Sequence, residues 1–125
     1  MITEDYVSYE IAKLLNEKGF NGEFHKHYWG YEKGREFLTE GSFNPEYDYP
    51  APTLQMAMKW LREEHNYHIM IDCLGSANWL PTIEHMTGSE DYKVEGQETK
   101  ICGNGFDTYD EAVEAALKYC LTKLI

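Results

Sequence analysis

Residues 50–66 constrain the fold of this chain more than any other segment, because they carry the signals of a single amphipathic helix. The apolar side chains follow the i, i+3, i+4, i+7 spacing that places them on one helix face. They are Leu54, Ala57, Met58 and Leu61. Pro52 is predicted at the first helical position, where a missing backbone N–H costs nothing. Asn66 is predicted to end the helix in a left-handed conformation.

Two further helices are predicted, one at each end of the chain. The first runs from Asp5 or Ser8 to Lys18. The last begins at Thr108, which forms a capping-box pattern with Glu111. Its apolar stripe continues almost to the end of the chain and consists of Val113, Ala116, Leu117, Cys120, Leu121 and Leu124.

The segments between the helices are rich in aromatic and β-branched residues or alternate in polarity, and both patterns indicate strands. The predicted strands span residues 22–29, 35–39, 67–73, 78–86 and 92–94, with a further one at 99–102. Pro81 is predicted at a sheet edge or at the beginning of its strand. Residues 41–50 are predicted to form an ordered loop. The order α-β-β-α-β-β-β-α predicts a single α+β domain over residues 1–125, in which helices cover one face of a mostly antiparallel sheet.

Charge excludes several kinds of partner. The chain has 22 acidic and 11 basic residues and a formal net charge of −11. Because phosphate backbones are bound by clustered Lys and Arg, no binding of double-stranded nucleic acid or of an anionic membrane is predicted. An acidic surface that serves solubility is the first interpretation, and one that binds a basic protein is the second.

The cysteines and the first residues indicate a compartment. Three cysteines are an odd number without the spacing of a disulfide framework, so reduced thiols in the cytoplasm are expected. Residues 1–5 lack the basic and apolar regions of a signal peptide. Cys73 and Cys120 fall on apolar stripes and are predicted to be buried, whereas Cys102 is placed on a loop.

The most unusual feature of the sequence is a concentration of aromatic residues. Residues 24–49 hold 8 of the 18 Phe, Trp and Tyr residues in the chain. One interpretation is that they pack a loop onto the sheet. The other is that residues 28–49 form a contact surface, since Tyr and Trp offer large, stiff contact area and a hydrogen bond. The residues predicted to bind a ligand are Tyr28, Trp29, Tyr31, Arg35, Phe43, Tyr47 and Tyr49.

Metal binding is weighed as an alternative. His25 and His27 are two residues apart on a predicted strand, so both point to one face, as in some metal sites. No further ligand-spacing motif accompanies them, and solvent-facing histidines are the preferred interpretation. No cofactor and no catalytic residue are predicted.

Four segments of the chain resemble parts of small proteins found in gut anaerobic bacteria and in their phages and prophages. These segments are residues 9–20, 28–31, 51–63 and 109–121. The group has no established activity, so the resemblance implies a phage-associated accessory role and transfers no catalytic residue.

The element order of residues 51–124 is also that of a double-stranded-RNA-binding domain. That module grips phosphates with lysines at the start of its last helix. Here the corresponding positions carry Asp107, Asp110, Glu111 and Glu114, which would repel the backbone.

These patterns predict a non-catalytic accessory protein that binds a partner protein or a small, nucleotide-like ligand through residues 28–49. Two alternatives stay open. One is a metal-assisted hydrolase that uses His25 and His27, and the other is a homo-oligomer assembled through an exposed strand edge or the aromatic loop.

Overall fold

A computed structural model describes residues 5–29, 37–75, 77–88, 90–94 and 105–125 of the chain. The helices of this part are α1 (Tyr9–Glu17), α2 (Leu54–His65) and α3 (Tyr109–Tyr119), and α3 continues into a π-helical turn (Cys120–Leu124). The strands are β1 (Lys26–Tyr28), β2 (Leu38–Thr39), β3 (Tyr49–Ala51), β4 (Tyr67–Cys73), β5 (Trp79–His85) and β6 (Asp91–Lys93).

The strands form two small antiparallel sheets, with the orders β2-β1-β3 and β4-β5-β6. The α+β class predicted from the sequence is therefore confirmed, but the strands are divided between two sheets instead of one. Strand β3 lies at the end of the segment predicted to be a loop. A three-residue strand is too short to show an alternating pattern, and only its pairing with β1 reveals it.

Helix α2 begins at Leu54, two residues later than the predicted start at Pro52. Thr53 is its N-cap, and the Thr53 hydroxyl accepts a hydrogen bond from the backbone N–H of Met56 at 3.1 Å. Pro52 precedes the cap, and its carbonyl accepts a bond from the Val7 N–H at 3.0 Å. Thr53 is the N-cap because its hydroxyl accepts a hydrogen bond from a backbone N–H of the first helical turn, which a proline side chain cannot do. The left-handed end of the helix is confirmed, since Asn66 has φ = 62°.

The caps of the other two helices follow the sequence closely. The Ser8 hydroxyl accepts a bond from the Ile11 N–H at 3.3 Å at the start of α1. The Thr108 hydroxyl accepts one from the Glu111 N–H at 3.1 Å at the start of α3. Each bond satisfies one of the backbone donors that a helix leaves free in its first turn. The predicted cap at Thr108 is therefore confirmed, and α1 begins at the second of its two predicted starts.

The core lies where the helices meet the sheets. Helix α2 packs on β4, α3 packs on β4 and β5, and α1 packs on β3 and on α3. The largest fully buried apolar side chains come from helices and strands alike and include Leu15, Leu61, Ile83, Leu117 and Leu121. The opposite face of the sheet β4-β5-β6 carries the exposed residues Met70, Asp72 and Glu84. The helices thus cover one face of this sheet.

The prediction that Cys73 is buried is wrong, because burial depends on what covers a strand. Burial falls along β4 from Ile69 to the half-buried Ile71, and Cys73 at the end of the strand is exposed. Cys120 is buried, as predicted.

Pro81 is the third residue of β5, the central strand of its sheet, and is not at an edge. Its carbonyl accepts a bond from the Val94 N–H at 3.1 Å, so its nitrogen also faces the β6 side. Strand β6 ends at Lys93, one residue before that position. The missing N–H therefore falls where the ladder is already ending, and proline is tolerated there.

A partly buried carboxylate joins α1 to α3. Glu114 Oε1 accepts a bond from the Ser8 N–H at 2.9 Å, whereas Oε2 has no partner among the described residues. Burial raises the pKa of Glu114, the hydrogen bonds from Ser8 lower it in part, and the nearby Glu10 and Asp110 add to the rise. Burial, and then the charge of Glu114, raises the pKa of Tyr28. The fold therefore disfavours the ionised form of Glu114.

Replacing Asn66 by alanine is expected to lower the free energy of unfolding by about 1 kcal/mol, because a β-carbon is penalised in the left-handed region. Asn66→Gly removes that penalty and is expected to stay within about 0.5 kcal/mol of the wild type. Urea unfolding curves measure both variants. Equal destabilisation by the two substitutions would show that the asparagine side chain, and not the backbone conformation, matters at this position.

Glu114→Gln is expected to raise the free energy of unfolding at pH 7. The pKa of Glu114 is raised in the folded state above its unfolded-state value of 4.5. The protonated side chain therefore contributes stability that is fully present below pH 4.5 and is lost as the pH rises through the folded-state pKa. At pH 7 the glutamine variant escapes that loss, and well below pH 4.5 its advantage over the wild type disappears. Urea unfolding at both pH values measures the difference. The exposed Glu63→Gln is the control, and an advantage of Glu114→Gln that is equal at both pH values would contradict the expectation.

Candidate functional site

The predicted ligand-binding residues separate into two groups. Tyr28 and Tyr49 lie on the α1 side of the sheet β2-β1-β3. Their rings pack edge-to-face on Tyr9, with centroids 5.7 Å and 5.6 Å from the Tyr9 ring. The Tyr28 hydroxyl donates to the Val7 carbonyl at 2.6 Å. These two tyrosines therefore join helix to sheet and do not belong to the outer surface.

The other face of this sheet is aromatic as well. Side chains alternate along a strand, so His27 and Trp29 point away from the side that carries Tyr28. Trp29 continues the pairing beyond β1, since its N–H donates to the Phe37 carbonyl at 3.3 Å. The Trp29 ring lies 5.5 Å from that of Phe37, and the Phe43 ring lies 5.2 Å from that of His27.

We call this surface the aromatic face. Its members are Phe24, Trp29, Phe37 and Phe43, and the exposed Tyr47 belongs to the same 41–48 loop as Phe43. Phe24 is included because its ring lies 5.1 Å from the Phe43 ring. The exposed fractions of Phe37, Phe43 and Tyr47 are 51%, 37% and 43%, respectively. These values leave much of each ring available for contact.

A buried polar pair lies beneath the aromatic face. His27 Nε2 is 3.6 Å from Asp48 Oδ2, and both side chains are almost completely buried. Asp48 Oδ2 accepts a bond from the Asn44 N–H at 2.9 Å, and the Asp48 N–H donates to the Asn44 carbonyl at 2.8 Å. The Asp48 carboxylate thus connects the 41–48 loop to strand β1.

The two candidate metal-ligating histidines have different surroundings. His25 is exposed just before β1, whereas His27 is buried. The prediction that both face solvent is wrong for His27, because the 41–48 loop folds over that side of the strand. Among the residues that the structure describes, no three side chains of His, Cys, Asp or Glu come together as a metal site would require.

Two shallow clefts adjoin the aromatic face and were not predicted from the sequence. The first, of about 230 Å³, is lined by Tyr6, Glu23, Phe24, His25, Thr53 and Met56. The second, of about 330 Å³, is lined by Asn21, Gly22, Glu23, Met56, Lys59, Trp60, Glu63 and Glu64. They share Glu23 and Met56, so they are neighbours. No local sequence signal reveals them, because they form where residues 21–25 pass the side of α2.

The charge around these clefts is mostly negative. Among the described residues that line the second cleft, Glu23, Glu63 and Glu64 are acidic and Lys59 is the one cation. The Lys26 ammonium lies 4.7 Å from the centre of the Tyr6 ring, which lines the first cleft, so this cleft has a cation beside it as well as Glu23. The second cleft therefore suits a cationic or neutral group better than a phosphate.

The two described cysteines differ in burial. Burial raises the pKa of the Cys120 thiol to about 12, which keeps it protonated. The exposed Cys73 thiol donates to the Gly75 carbonyl at 3.3 Å. Several predicted features lie outside the described residues, namely Tyr31, Arg35, Cys102, the turn at 30–34 and the strand at 99–102.

These observations define an α+β domain with two three-stranded antiparallel sheets and an aromatic face on the smaller one. No protein-family model, no curated protein and no solved structure matches the chain. Across the described ranges, every helix is too short or too polar to cross a bilayer.

Asp48→Ala is expected to loosen the 41–48 loop and to lower the free energy of unfolding by about 1–3 kcal/mol, because it removes the acceptor of the Asn44 N–H and the partner of a buried imidazole. Hydrogen exchange at the Asn44 amide and urea unfolding measure the two effects. Glu46→Ala is the matched control, since Glu46 lies in the same loop with an exposed side chain. Unchanged protection of the Asn44 amide in Asp48→Ala would contradict this account of the loop.

Proposed function

We propose that this protein is a non-catalytic binding protein that holds an apolar, basic segment of a partner protein on its aromatic face. The observation that carries the proposal is the exposure of Phe37 and Phe43 on a supported surface, with the exposed Tyr47 in the same loop as Phe43. Aromatic side chains deliver much of the binding energy at protein interfaces. A cluster of exposed apolar side chains commonly marks such a site.

The support beneath the aromatic face favours binding. Ordering a flexible side chain or loop at an interface costs free energy, and a surface that is already ordered avoids part of that cost. The His27–Asp48 pair holds the loop that carries Phe43 and Tyr47. The Trp29 ring packs against the Phe37 ring and supports it on the same face.

Charge favours a basic peptide segment over a nucleotide. Two segments of the aromatic face, residues 23–25 and 37–48, have only acidic residues among their Asp, Glu, Lys and Arg, and Glu23, Glu40 and Glu46 are exposed. A net charge of −11 also speeds the encounter with a basic partner. The Lys26 ammonium lies over the Tyr6 ring, on the other side of β1 from the aromatic face.

The remaining expectations have less support. A metal-assisted hydrolase built on His25 and His27 is less favoured, because the His27 imidazole lies against Asp48 and Phe43 in the interior. A phage-associated role remains a prediction that rests on the sequence resemblance. A cytoplasmic location suits the exposed, unpaired thiol of Cys73.

A library of linear peptides displayed on phage and selected against the immobilised protein tests the proposal. Selected peptides are expected to combine aromatic or aliphatic residues with Lys or Arg. In calorimetric titrations with the synthesised peptides, the Phe37→Ala/Phe43→Ala double variant is expected to bind at least ~10-fold more weakly, which corresponds to about 1.4 kcal/mol. Raising the salt concentration is expected to weaken binding further, because it screens the acidic surface.

The matched control is Leu74→Ala/Met86→Ala. It truncates two apolar side chains that are at least as exposed as Phe37 and Phe43 and that follow strands β4 and β5 of the other sheet. It is expected to bind like the wild type, and circular dichroism checks that both double variants are folded. Peptides that bind the Phe37→Ala/Phe43→Ala variant unchanged would overturn the proposal. A mononucleotide is titrated in parallel. If the wild type binds it and the Phe37→Ala/Phe43→Ala variant does not, the ligand of the aromatic face is a nucleotide and not a peptide.

A further inference from the structure

Strand β4 is an edge strand of the sheet β4-β5-β6, and it is the same length as the central strand β5. It covers seven residues, Tyr67–Cys73, all of which are paired with β5. Its other edge is not hydrogen-bonded to any backbone group among the described residues. An edge of this length presents a row of donors and acceptors to which another strand can bind.

The hydrogen bonds of the sheet identify which residues of β4 face outward. The N–H and C=O of one residue point to the same side of an antiparallel strand, and the side alternates along the chain. The Leu74 N–H donates to Asn78 and the Met86 N–H donates to Asn66, so the even-numbered residues of β4 face β5. The odd-numbered residues therefore point their backbone groups away from the sheet. They are Tyr67, Ile69, Ile71 and Cys73.

This edge lacks the features by which proteins prevent strands from pairing. Edge strands are usually protected by proline, by lysine, by a bulge or by short length. Strand β4 contains no proline, lysine or arginine, it pairs residue for residue with β5, and its one carboxylate belongs to Asp72. Met70 is 37% exposed on the uncovered face of the sheet.

We infer that β4 pairs antiparallel with β4 of a second copy of this chain and makes one continuous six-stranded sheet. The full-length register centres on Met70, which lies opposite the partner's Met70. In this register the outward residues face one another, Tyr67 opposite the partner's Cys73 and Ile69 opposite the partner's Ile71. Their backbone groups form eight hydrogen bonds, because each of the four pairs exchanges two.

Side-chain charge favours a second copy as the occupant. The same register places His68 opposite the partner's Asp72, and two-fold symmetry repeats that pair on the other side of Met70. An imidazole opposite a carboxylate is a favourable cross-strand pair, whereas a register shifted by two residues breaks both pairs. Asp72, the only acidic residue of β4, thus lies opposite His68 of the partner subunit, the only residue of the strand that can carry a positive charge. The interface is therefore self-complementary, as a two-fold dimer requires.

The first experiment measures mass against concentration by sedimentation velocity, from about 1 µM to about 1 mM, since an interface of this size is expected to be weak. The wild type is expected to shift from one chain to two. Met70→Lys is expected to stay monomeric, because it places two ammonium groups on the two-fold axis. Met86→Lys, the same substitution at a residue that is 51% exposed and lies outside β4, is expected to dimerise like the wild type.

A disulfide test checks the register in a Cys73→Ser background. Met70→Cys is expected to form an intermolecular disulfide under mild oxidation, because opposed residues in a pair that is not hydrogen-bonded have Cα atoms about 4.5 Å apart. Glu84→Cys, on the same uncovered face but in the central strand, is expected not to form one. A wild type that stays monomeric at ~1 mM would overturn the inference. So would a Met70→Lys dimer or equal cross-linking of the two cysteine variants.

The failure of this inference is distinguishable from that of the proposed function. Dimers that persist in Met70→Lys but disappear in Phe37→Ala/Phe43→Ala would assign self-association to the aromatic face and would overturn the β4 inference alone. Peptide binding that is lost in Phe37→Ala/Phe43→Ala but kept in Met70→Lys would support the proposed function, whatever the mass of the wild type.

Discussion

The backbone of Val7 is the connection on which the arrangement of this domain depends. Its N–H donates to the Pro52 carbonyl at 3.0 Å, its carbonyl accepts the Tyr28 hydroxyl at 2.6 Å, and its side chain is completely buried. One residue thus connects the start of α1 with β1 and with the start of α2. A sheet of two- and three-residue strands is not stable in isolation, so β2-β1-β3 needs this attachment to the helices.

The same attachment explains why one face of the small sheet is free to carry function. Tyr28 and Tyr49 are used on the α1 side, where they pack on Tyr9. Within the described part of the chain, the opposite side is covered by the 41–48 loop, which the buried Asp48 holds to His27. The aromatic face therefore rests on a polar pair and a few ring contacts and not on a deep hydrophobic core. Such a surface keeps large side chains exposed without requiring them for stability.

Local signals in the sequence predicted the helices well. A hydroxyl side chain caps α1 and α3 where the pattern indicated, and Asn66 adopts the left-handed conformation expected of it. These features depend on contacts within four or five residues, which the order of residues along the chain determines. Pro52 shows the limit of such rules, since two adjacent residues were both suitable for the start of α2 and the hydroxyl of Thr53 decided between them.

The sequence by itself therefore determined the class of the fold, the extent of its helices and the presence of an unusual aromatic segment. Only the tertiary structure decided that the strands form two sheets, that His27 is buried, that Cys73 is exposed and that the aromatic residues lie on opposite faces of one sheet. The physical reason is that strand pairing and burial depend on residues distant in the chain. Asp48 meets His27 across 20 intervening residues, and no pattern in either segment indicates that contact.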